Sequence, residues 1–530
     1  MGNHSGLDTL LDGRRMSRRG LLGGAAALGV AGGAVASGGS LGHTVRAAWQ
    51  EPTKGGSLRV GMSNDAATMD PHFSGSKYDR MVFFNMYEPM VQLTESLDIQ
   101  PGLAESWDIS DDQLTYTFKL RQGVKFHDGT DFNADAVKAN FDRMMDPTQE
   151  SLRRGEVSGI ESVSAVDPAT VAIKLKQPNA ALLATLADRV GMIISPAAIQ
   201  QYGAELARNP VGTGPFQFVE WLKDDHLTLK RFDGYWDTGK PHLDEVTVRI
   251  ILDDSVRVAA LRNGEIDVVD YVQPKFVEEV KGDGNLTTVE IPALGVWWLW
   301  LNETRAPFDN KALREAFAAA IDIEPIVQKI LLGVGKPANG PVSPASWAYD
   351  DTIPYRTRDV ELAKAKLAEG GMPDGFKCSF KDTPTTVSTP LVQLIQAMVA
   401  EVGIEMEIIP VDSATQVADT VAKDYEVTWS QWSGRADPDG NTYNHFFTDA
   451  GMNYGGYSNP EVDALLDQAR AAMTQEERKA IYSEITKKLN EDVPVVFIWH
   501  PDEPKSMTTR LKDLPLIPDG MLRLGPAWLE

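Results

Sequence analysis

The sequence predicts a mixed α/β protein divided into two lobes. Its 530 residues are more than one ordinary domain needs. Segments with strand periodicity alternate with capped helices, and a second series of strands and helices begins after residue 302. Hydrophobic residues make up 42% and charged residues 24%, which is typical of a soluble globular protein with a large core.

Apolar or alternating segments predict the strands. In residues 113–120, for example, Leu114, Tyr116 and Phe118 alternate with polar residues, the period of a half-buried strand. The run VWWLWLN is too short to cross a membrane and suits a central strand. The predicted strands are 57–62, 113–120, 169–176, 244–251, 296–302, 425–432 and 494–500.

Capping residues predict where the helices begin. Thr474 followed by Glu477 three residues later forms a capping box, and Pro460 suits the first position of a helix. The predicted N-caps are Asn133, Asp309, Asn459 and Thr474.

The charge balance excludes one class of partner. Acidic residues outnumber basic ones by 75 to 51, a net charge of −24. Nucleic-acid binding needs clustered cations that neutralise phosphates, so no nucleic-acid partner is expected.

Residues 1–48 resemble a twin-arginine export signal. Arg18 and Arg19 precede an uncharged Gly- and Ala-rich stretch, and small residues suited to cleavage follow at Ala47 and Ala48. The alternative is a retained membrane anchor, although the stretch is short and weakly apolar for a span. The sequence therefore predicts a periplasmic or extracytoplasmic protein.

Cys378 is the only cysteine. It excludes an intramolecular disulfide, and it lies too far from the signal to carry a lipid anchor.

Catalytic and metal motifs are weak. GGSLG at 38–42 lies inside the signal, and SGSK at 74–77 lacks the partner motifs of a serine hydrolase. No P-loop, C-x-x-C or H-E-x-x-H occurs, and the eight histidines have no metal spacing. The sequence predicts no catalytic residue, no metal site and no cofactor.

The segment SQWSGRADPDGN, residues 430–441, has two interpretations at this level. Asp437, Asp439 and Asn441 have the alternate spacing of calcium ligands, but no glutamate closes the set. A tight turn shaped by Pro438 and Gly440 is the preferred interpretation.

Five segments in order resemble family 5 of the extracellular solute-binding proteins, which are peptide and nickel receptors of ABC importers. They are 103–144, 209–221, 229–267, 301–322 and 453–466, beginning with LAESWDISDDQLTYTFKLRQGVKFHDGT. The resemblance covers nearly all of the chain after residue 48.

The resemblance implies the type II fold of periplasmic binding proteins, with two hinged lobes that close on a ligand. Lobe I is expected at 49–301, with an extra subdomain at 75–210. Lobe II is expected at 302–499, and residues 500–530 return to lobe I. The partners implied are the ligand and the permease and ATPase subunits of an ABC importer, and the receptor is expected to be a monomer.

The resemblance also places candidate ligand-binding residues in the cleft between the lobes. Because Trp297 and Trp298 alternate, only one of them is expected to face the cleft, and Trp298 is chosen. The predicted set is Asn64, Asp65, Met69, Phe73, Trp298, Asp382, Trp429, Trp432, Arg435, Tyr443, Asn453 and Tyr454.

The charges of the resembling peptide receptors are reversed here. Those relatives hold the peptide's amino group with an aspartate three residues after the loop tryptophan, a place that Arg435 takes in this chain. Asp382 stands about where dipeptide receptors carry a carboxylate-binding arginine. An ammonium beside Arg435 would be a like-charge contact, which costs several kcal/mol.

The expected function is a non-enzymatic receptor for an oligopeptide or a related small organic solute. The first alternative keeps the fold and changes the ligand to a metal chelate, haem or a sugar-derived acid. A remote alternative is a secreted hydrolase, for which no nucleophile and base are found. The predicted ligand presents an anionic or strongly accepting group to Arg435. The structural alternative is that Asp437 neutralises Arg435 within the loop.

Overall fold

The computed structural model describes residues 51–530, and residues 52–530 form one compact unit. The predicted export signal lies outside the described residues. Within residues 51–530, no helix is both long enough and apolar enough to cross a bilayer.

The strands of the described chain follow one another in this order: β1 Ser57–Met62, β2 Val91–Leu93, β3 Ile99–Pro101, β4 Ala104–Ile109, β5 Thr115–Leu120, β6 Ile160–Asp167, β7 Thr170–Leu175, β8 Phe216–Leu222, β9 His226–Arg231, β10 Glu245–Ile250, β11 Val268–Val269, β12 Leu286–Pro292, β13 Val296–Leu301, β14 Lys336–Pro337, β15 Lys377–Asp382, β16 Glu405–Pro410, β17 Val427–Trp432, β18 Val495–His500, β19 Asp502–Thr508, β20 Leu511–Lys512 and β21 Trp528–Leu529.

The α-helices between them are α1 Lys77–Met86, α2 Ala134–Met145, α3 Arg154–Val157, α4 Leu182–Leu186, α5 Pro196–Tyr202, α6 Asp254–Arg262, α7 Pro274–Lys281, α8 Lys311–Ala319, α9 Ile323–Lys329, α10 Val360–Glu369, α11 Ser388–Ala400, α12 Ser413–Ala422, α13 Asp439–Phe446, α14 Pro460–Ala471 and α15 Gln475–Asp492.

Two large mixed sheets organise the chain. The first sheet has the strand order β12-β19-β11-β1-β10-β9-β8, and the second has the order β14-β18-β13-β17-β15-β16. A third, four-stranded sheet, β4-β5-β7-β6, has its own hydrophobic core together with α2. Both faces of the second sheet are covered, because one core packs on the Leu299 side and another on the Trp298 side.

The chain crosses between the two large sheets twice. The first crossing is residues 293–295, between β12 and β13, and the second is Pro501, between β18 and β19. The crossings are bonded side by side, since Ala293 donates to the carbonyl of Pro501 at 3.0 Å and a ring nitrogen of His500 lies 3.1 Å from the carbonyl of Gly295. Two short adjacent crossings of this kind suit a hinge.

The mixed α/β fold is confirmed, and most of the predicted strands match within one or two residues. The caps Asn133, Asn459 and Thr474 accept hydrogen bonds from their first turns as predicted. The cap of α8 is Asn310, whose side chain accepts from the amide of Ala312, so the choice of Asp309 was wrong by one residue.

Two of the predicted domain boundaries do not coincide with a change of sheet. β13 pairs with β17 and β18 in the second sheet, so the chain leaves the first sheet before β13 and not at residue 301. Helix α1 packs in the core of the first sheet, although it falls inside the predicted subdomain at 75–210. β19 joins the first sheet, where the returning segment 500–530 was expected.

Replacing Gly295 with alanine is expected to destabilise the first crossing. A Cβ there would lie 2.7 Å from the carbonyl oxygen of Trp432, which is backbone and has little room to move. We expect a loss of about 1–3 kcal/mol in the free energy of unfolding, measured by urea titration. Gly451→Ala is the matched control, because nothing lies within 4 Å of its Cβ position. Equal stability of the two variants would contradict this reading of the crossing.

Candidate functional site

The ends of β12 and β19 in the first sheet adjoin the ends of β13 and β18 in the second sheet at the crossings. The parallel strands β15 and β17 end at Asp382 and Trp432, and β13 begins opposite Trp432 at Val296. In the first sheet, the edge nearest the crossings holds the end of β1 at Met62 and the start of β19 at Asp502. The loops that follow β1 and β17 therefore extend into the space between the sheets.

The loop after β17 is fixed by two arginines from neighbouring helices. Arg478 of α15 donates to both carboxylate oxygens of Asp437, at 2.7 and 2.6 Å. Arg470 of α14 binds Asp439 in the same bidentate way, at 2.7 and 2.9 Å. All four oxygens are thus engaged by guanidinium groups, which leaves Asp437 and Asp439 unsuited to bind calcium. It also means that Asp437 does not neutralise Arg435.

The segment 437–441 begins a helix and is not a tight turn. Pro438 has helical dihedral angles and precedes α13, in which Gly440 lies. Gly440 is needed for a different reason, because its Cβ would come within 2.6 Å of the Arg435 side chain. The buried amide of Asn441 completes the loop by accepting from the Trp432 ring nitrogen and from the Arg435 backbone amide, both at 2.8 Å.

Arg435 has no carboxylate partner among residues 51–530. Its guanidinium donates to the carbonyl of Gly434 at 2.7 Å and lies 4.4 Å from the centre of the Trp432 ring. Burial and the nearby charges of Arg80 and Arg153 lower its pKa to about 10, against the opposing effect of Asp188 and Glu156. The side chain remains charged at neutral pH and faces the part of the molecule built from the first and third sheets.

Three more arginines stand opposite Arg435. Arg80 of α1 binds Asp188 at 2.9 Å, and Arg189 donates to the carbonyl of Ser74 at 3.0 Å. Arg153 pairs with Glu156 at the start of α3. Although burial alone would raise it, the charges of Arg80, Arg189 and Arg435 hold the pKa of Asp188 well below its usual range.

Two histidines beside these arginines are buried and neutral. Burial lowers the pKa of His72 to about 4 and that of His445 to about 3. His72 accepts from Arg143 at 3.1 Å, and Arg143 also forms a bidentate pair with Asp70. The ring of His445 meets the ring of Trp432 edge-on, with centroids 4.6 Å apart.

Some of the predicted site residues lie at the ends of β15 and β17 or in the loops that follow β1 and β17. Asn64 is exposed just after β1, and Trp432 and Arg435 lead into the loop opposite it. Phe73 is half-buried under the Arg143 guanidinium, 4.9 Å from it. Asp382 ends β15 and accepts from the ring nitrogen of Trp429 at 2.6 Å, and burial raises its pKa.

Other predicted site residues are engaged elsewhere. The carboxylate of Asp65 accepts from Trp221 and from the backbone of Asp224, and Met69 is buried in the first core. Asn453 braces its own loop by donating to two carbonyls. Tyr443 turns toward α14, where it donates to Asp467.

Trp298, which was predicted to face the cleft, is more buried than the neighbouring Trp297. Trp298 is 1% exposed and packs in the core against His445 and Phe497. Trp297 is half-buried and stacks between Trp429 and Trp499, with centroid distances of 4.8 and 4.4 Å. Tyr454 is half-buried and packs edge-on against Trp300.

Three arginines near the loop could not be predicted from the sequence. Arg80 lies in α1, Arg153 directly before α3 and Arg189 after α4, each more than two hundred residues before Arg435. Isolated arginines in unrelated segments form no spacing pattern, so only the tertiary structure brings them together.

Comparison with known proteins agrees with this architecture. Residues 98–454 match the family described as bacterial extracellular solute-binding proteins, family 5 Middle. The chain belongs to family 5 of the bacterial extracellular solute-binding proteins. This family comprises substrate-binding receptors of ABC importers, so the chain is a receptor that captures a solute for a membrane permease, and it is not an enzyme.

Named relatives of the chain are glutathione-binding proteins. It is 34% identical over 440 residues to the glutathione-binding protein GsiB of Escherichia coli strain K12, covering 80% of this chain and 85% of that one. The GsiB of Pectobacterium atrosepticum is 32% identical over 458 residues, covering 83% and 87%.

Solved structures of similar fold hold different solutes. The periplasmic binding protein DppA of Helicobacter pylori, in complex with the peptide STSA, has a TM-score of 0.82 and 29% identity, covering 90% of this chain and 99% of that one. AgaA of A. tumefaciens R10, in complex with agropinic acid, has a TM-score of 0.80 and 28% identity, covering 90% and 99%.

Removing one partner of the Asp437–Arg478 pair is expected to destabilise the protein strongly. Arg478→Met would leave a buried carboxylate without its cation, so we expect a loss of about 3–5 kcal/mol in the free energy of unfolding. The double variant Asp437→Asn, Arg478→Met should recover much of this loss. Lys377→Gln is the control, since its pair with Glu405 is exposed, and no measurable change is expected. If chemical denaturation shows Arg478→Met to be as stable as the wild type, the loop is not held by this pair.

Proposed function

We propose that this receptor captures an acidic, peptide-like solute and that Arg435 binds one of its anionic groups. The proposal rests on one observation: Arg435 is charged and has no carboxylate partner in the described chain, while both aspartates of its loop are engaged by Arg470 and Arg478. A guanidinium offers two parallel N–H donors, which fit a carboxylate or a phosphate.

The names of the relatives suggest a first ligand to test. GsiB is named for glutathione, a tripeptide with two carboxylates. Glutathione supplies the acidic groups that Arg435 suits, so it is our leading candidate. AgaA holds agropinic acid, and this supports a sugar-derived acid as the second candidate. Both candidates present a carboxylate, whereas a neutral peptide bound through its ammonium would oppose Arg435.

The proposed mechanism is closure of two lobes on the ligand. The crossings at 293–295 and Pro501 are the proposed hinge, with the first and third sheets in lobe I and the second sheet in lobe II. A ligand that contacts both lobes favours the closed form by the difference between its affinities for the closed and the open forms. Trp432 and the half-buried Trp297 and Trp429 are proposed as apolar walls of the site, with Asn64 and Phe73 on the opposite lobe.

We further propose that the receptor acts as a monomer outside the cytoplasm and reaches it by the twin-arginine route. The paired arginines at 18 and 19 and the Gly-rich stretch after them support this route.

Substituting Arg435 by glutamine is expected to weaken binding and leave the fold intact. The change removes the charge that meets the ligand's anionic group, so we expect a loss of about 2–5 kcal/mol in binding free energy. Calorimetric titration with glutathione, and with any solute identified by mass spectrometry of the purified protein, measures it. The free energy of unfolding should change little, because the Arg435 side chain forms no ion pair in the described chain. Unchanged affinity would assign Arg435 a role within its loop.

Replacing Arg18 and Arg19 together with lysine is expected to leave precursor in the cytoplasm. The twin-arginine route requires the paired guanidinium groups, and lysine keeps the charge without them. Cell fractionation and immunoblotting measure the distribution. Replacing Arg14 and Arg15 with lysine is the matched control, because it makes the same change outside the proposed signal motif. Normal export of the Arg18 and Arg19 variant would rule out this route.

A further inference from the structure

Four guanidinium groups converge on the space between the lobes. We call Arg80, Arg153, Arg189 and Arg435 the arginine cluster. The first three come from lobe I, and their side chains are 5%, 8% and 4% exposed. The charge on Arg189 is disfavoured first by burial and then by the other three guanidiniums, which lower its pKa. The four side chains are therefore close enough to act on one another.

The cluster contains more positive than negative charge. Asp188 accepts from Arg80, and Glu156 pairs with Arg153, so two carboxylates stand against four guanidiniums. Two neighbouring pairs add no net charge: Arg143 binds Asp70, and Arg523 binds Asp519, which also lies 4.0 Å from Arg80.

One further carboxylate lies nearby. Asp79 is held by the amide of Ala67 and the hydroxyl of Ser74, and burial raises its pKa. Counting Asp79 as charged still leaves three carboxylates against four guanidiniums, and the neutral His72 adds no charge.

Two buried guanidinium donors of this region have no hydrogen-bond acceptor among residues 51–530. The Nε atoms of Arg153 and Arg189 are buried without a hydrogen-bond partner, and a carboxylate oxygen of Asp188 lies 3.7 Å from that of Arg189. Buried donors are nearly always satisfied in folded proteins, so these two together indicate that an acceptor from outside the chain belongs here.

We propose that the arginine cluster selects ligands with two anionic groups, one bound by Arg435 on lobe II and the other by Arg153 and Arg189 on lobe I. This inference rests on the proposed function and specifies its substrate class as dicarboxylates or their phosphate equivalents. A dianionic ligand balances the unmatched charge of the cluster. A ligand with one anionic group leaves part of that charge buried and unpaired, which is costly.

In the same arrangement, each lobe binds one anionic group of the ligand. The anion on Arg435 attaches the ligand to the second sheet, and the anion on Arg153 and Arg189 attaches it to the first and third sheets. Without a ligand, positive charge on one lobe faces positive charge on the other. The second anionic group is thus the one that couples recognition to closure.

The test compares glutathione with its monoethyl and diethyl esters and with trialanine by calorimetric titration. The proteins are the wild type, Arg153→Gln, Arg153→Lys and Arg154→Gln. Arg154 is the matched control, because it is adjacent and exposed and carries the same charge. Thermal unfolding of each variant verifies that it is folded, and Arg153→Lys keeps the charge in case the glutamine variant does not fold.

We expect affinity to fall about tenfold or more with each ester group added. Arg153→Gln should weaken glutathione binding by a similar factor and leave the diethyl ester unaffected, and Arg154→Gln should bind every probe like the wild type. Arg153→Lys should fall between the wild type and Arg153→Gln.

Two results would overturn different claims. Equal affinities for glutathione and its monoethyl ester, or no effect of Arg153→Gln on any probe, would overturn the second anion site and leave the role of Arg435 standing. Trialanine or the diethyl ester binding as tightly as glutathione, or no binding of glutathione, would overturn the acidic ligand of the proposed function as well.

Discussion

The bidentate pair between Asp437 and Arg478 is the contact on which the site depends. It joins the loop after β17 to the long helix α15, and the pair between Asp439 and Arg470 repeats the arrangement from α14. Buried ion pairs add little net stability compared with apolar packing. They nevertheless fix a geometry, because breaking one leaves a buried charge without its partner. The loop is therefore held in one position, and the two aspartates beside Arg435 are unavailable to it.

The arrangement of the two crossings connects this local geometry with the proposed closure of the lobes. Because the crossings lie next to each other at the facing edges of the two sheets, the lobes can rotate about them with little change inside either sheet. Arg435 moves with the second sheet, and its three counterparts stay with the first and third. A ligand held by both groups converts binding energy into closure, the step that a receptor for a permease has to signal.

Much of the fold could be predicted from the sequence, because strands and caps are local features. The alternation of Leu114, Tyr116 and Phe118, and the caps at Asn133 and Thr474, depend on neighbours a few residues away. The predicted boundary at residue 301 differs from the change of sheet for a physical reason: β13 is apolar on both faces, so its sequence does not show which sheet it joins. For the same reason, the sequence of β13 does not show which of Trp297 and Trp298 is the more exposed.

The site was less predictable, because its charges are paired over long distances. Asp437 is 41 residues from Arg478, and Arg435 meets side chains from α1 and α3. The periodicity of apolar residues and the spacing of motifs do not indicate which distant residues form such pairs. The reversal of charge at Arg435 was visible only because the resemblance supplied a reference, and the structure then explained why its own loop does not neutralise it.

The braced loop separates Arg435, the residue proposed to bind the ligand, from the residues that hold it in place. The backbone amide of Arg435 donates to the side chain of Asn441, and Gly440 leaves room for the Arg435 side chain. That side chain forms no ion pair in the described chain. A single codon change at this position would therefore alter which solutes are accepted and leave the scaffold intact. Divergence of ligand range within such receptors can proceed in this way by individual substitutions, without a loss of folding at any intermediate step.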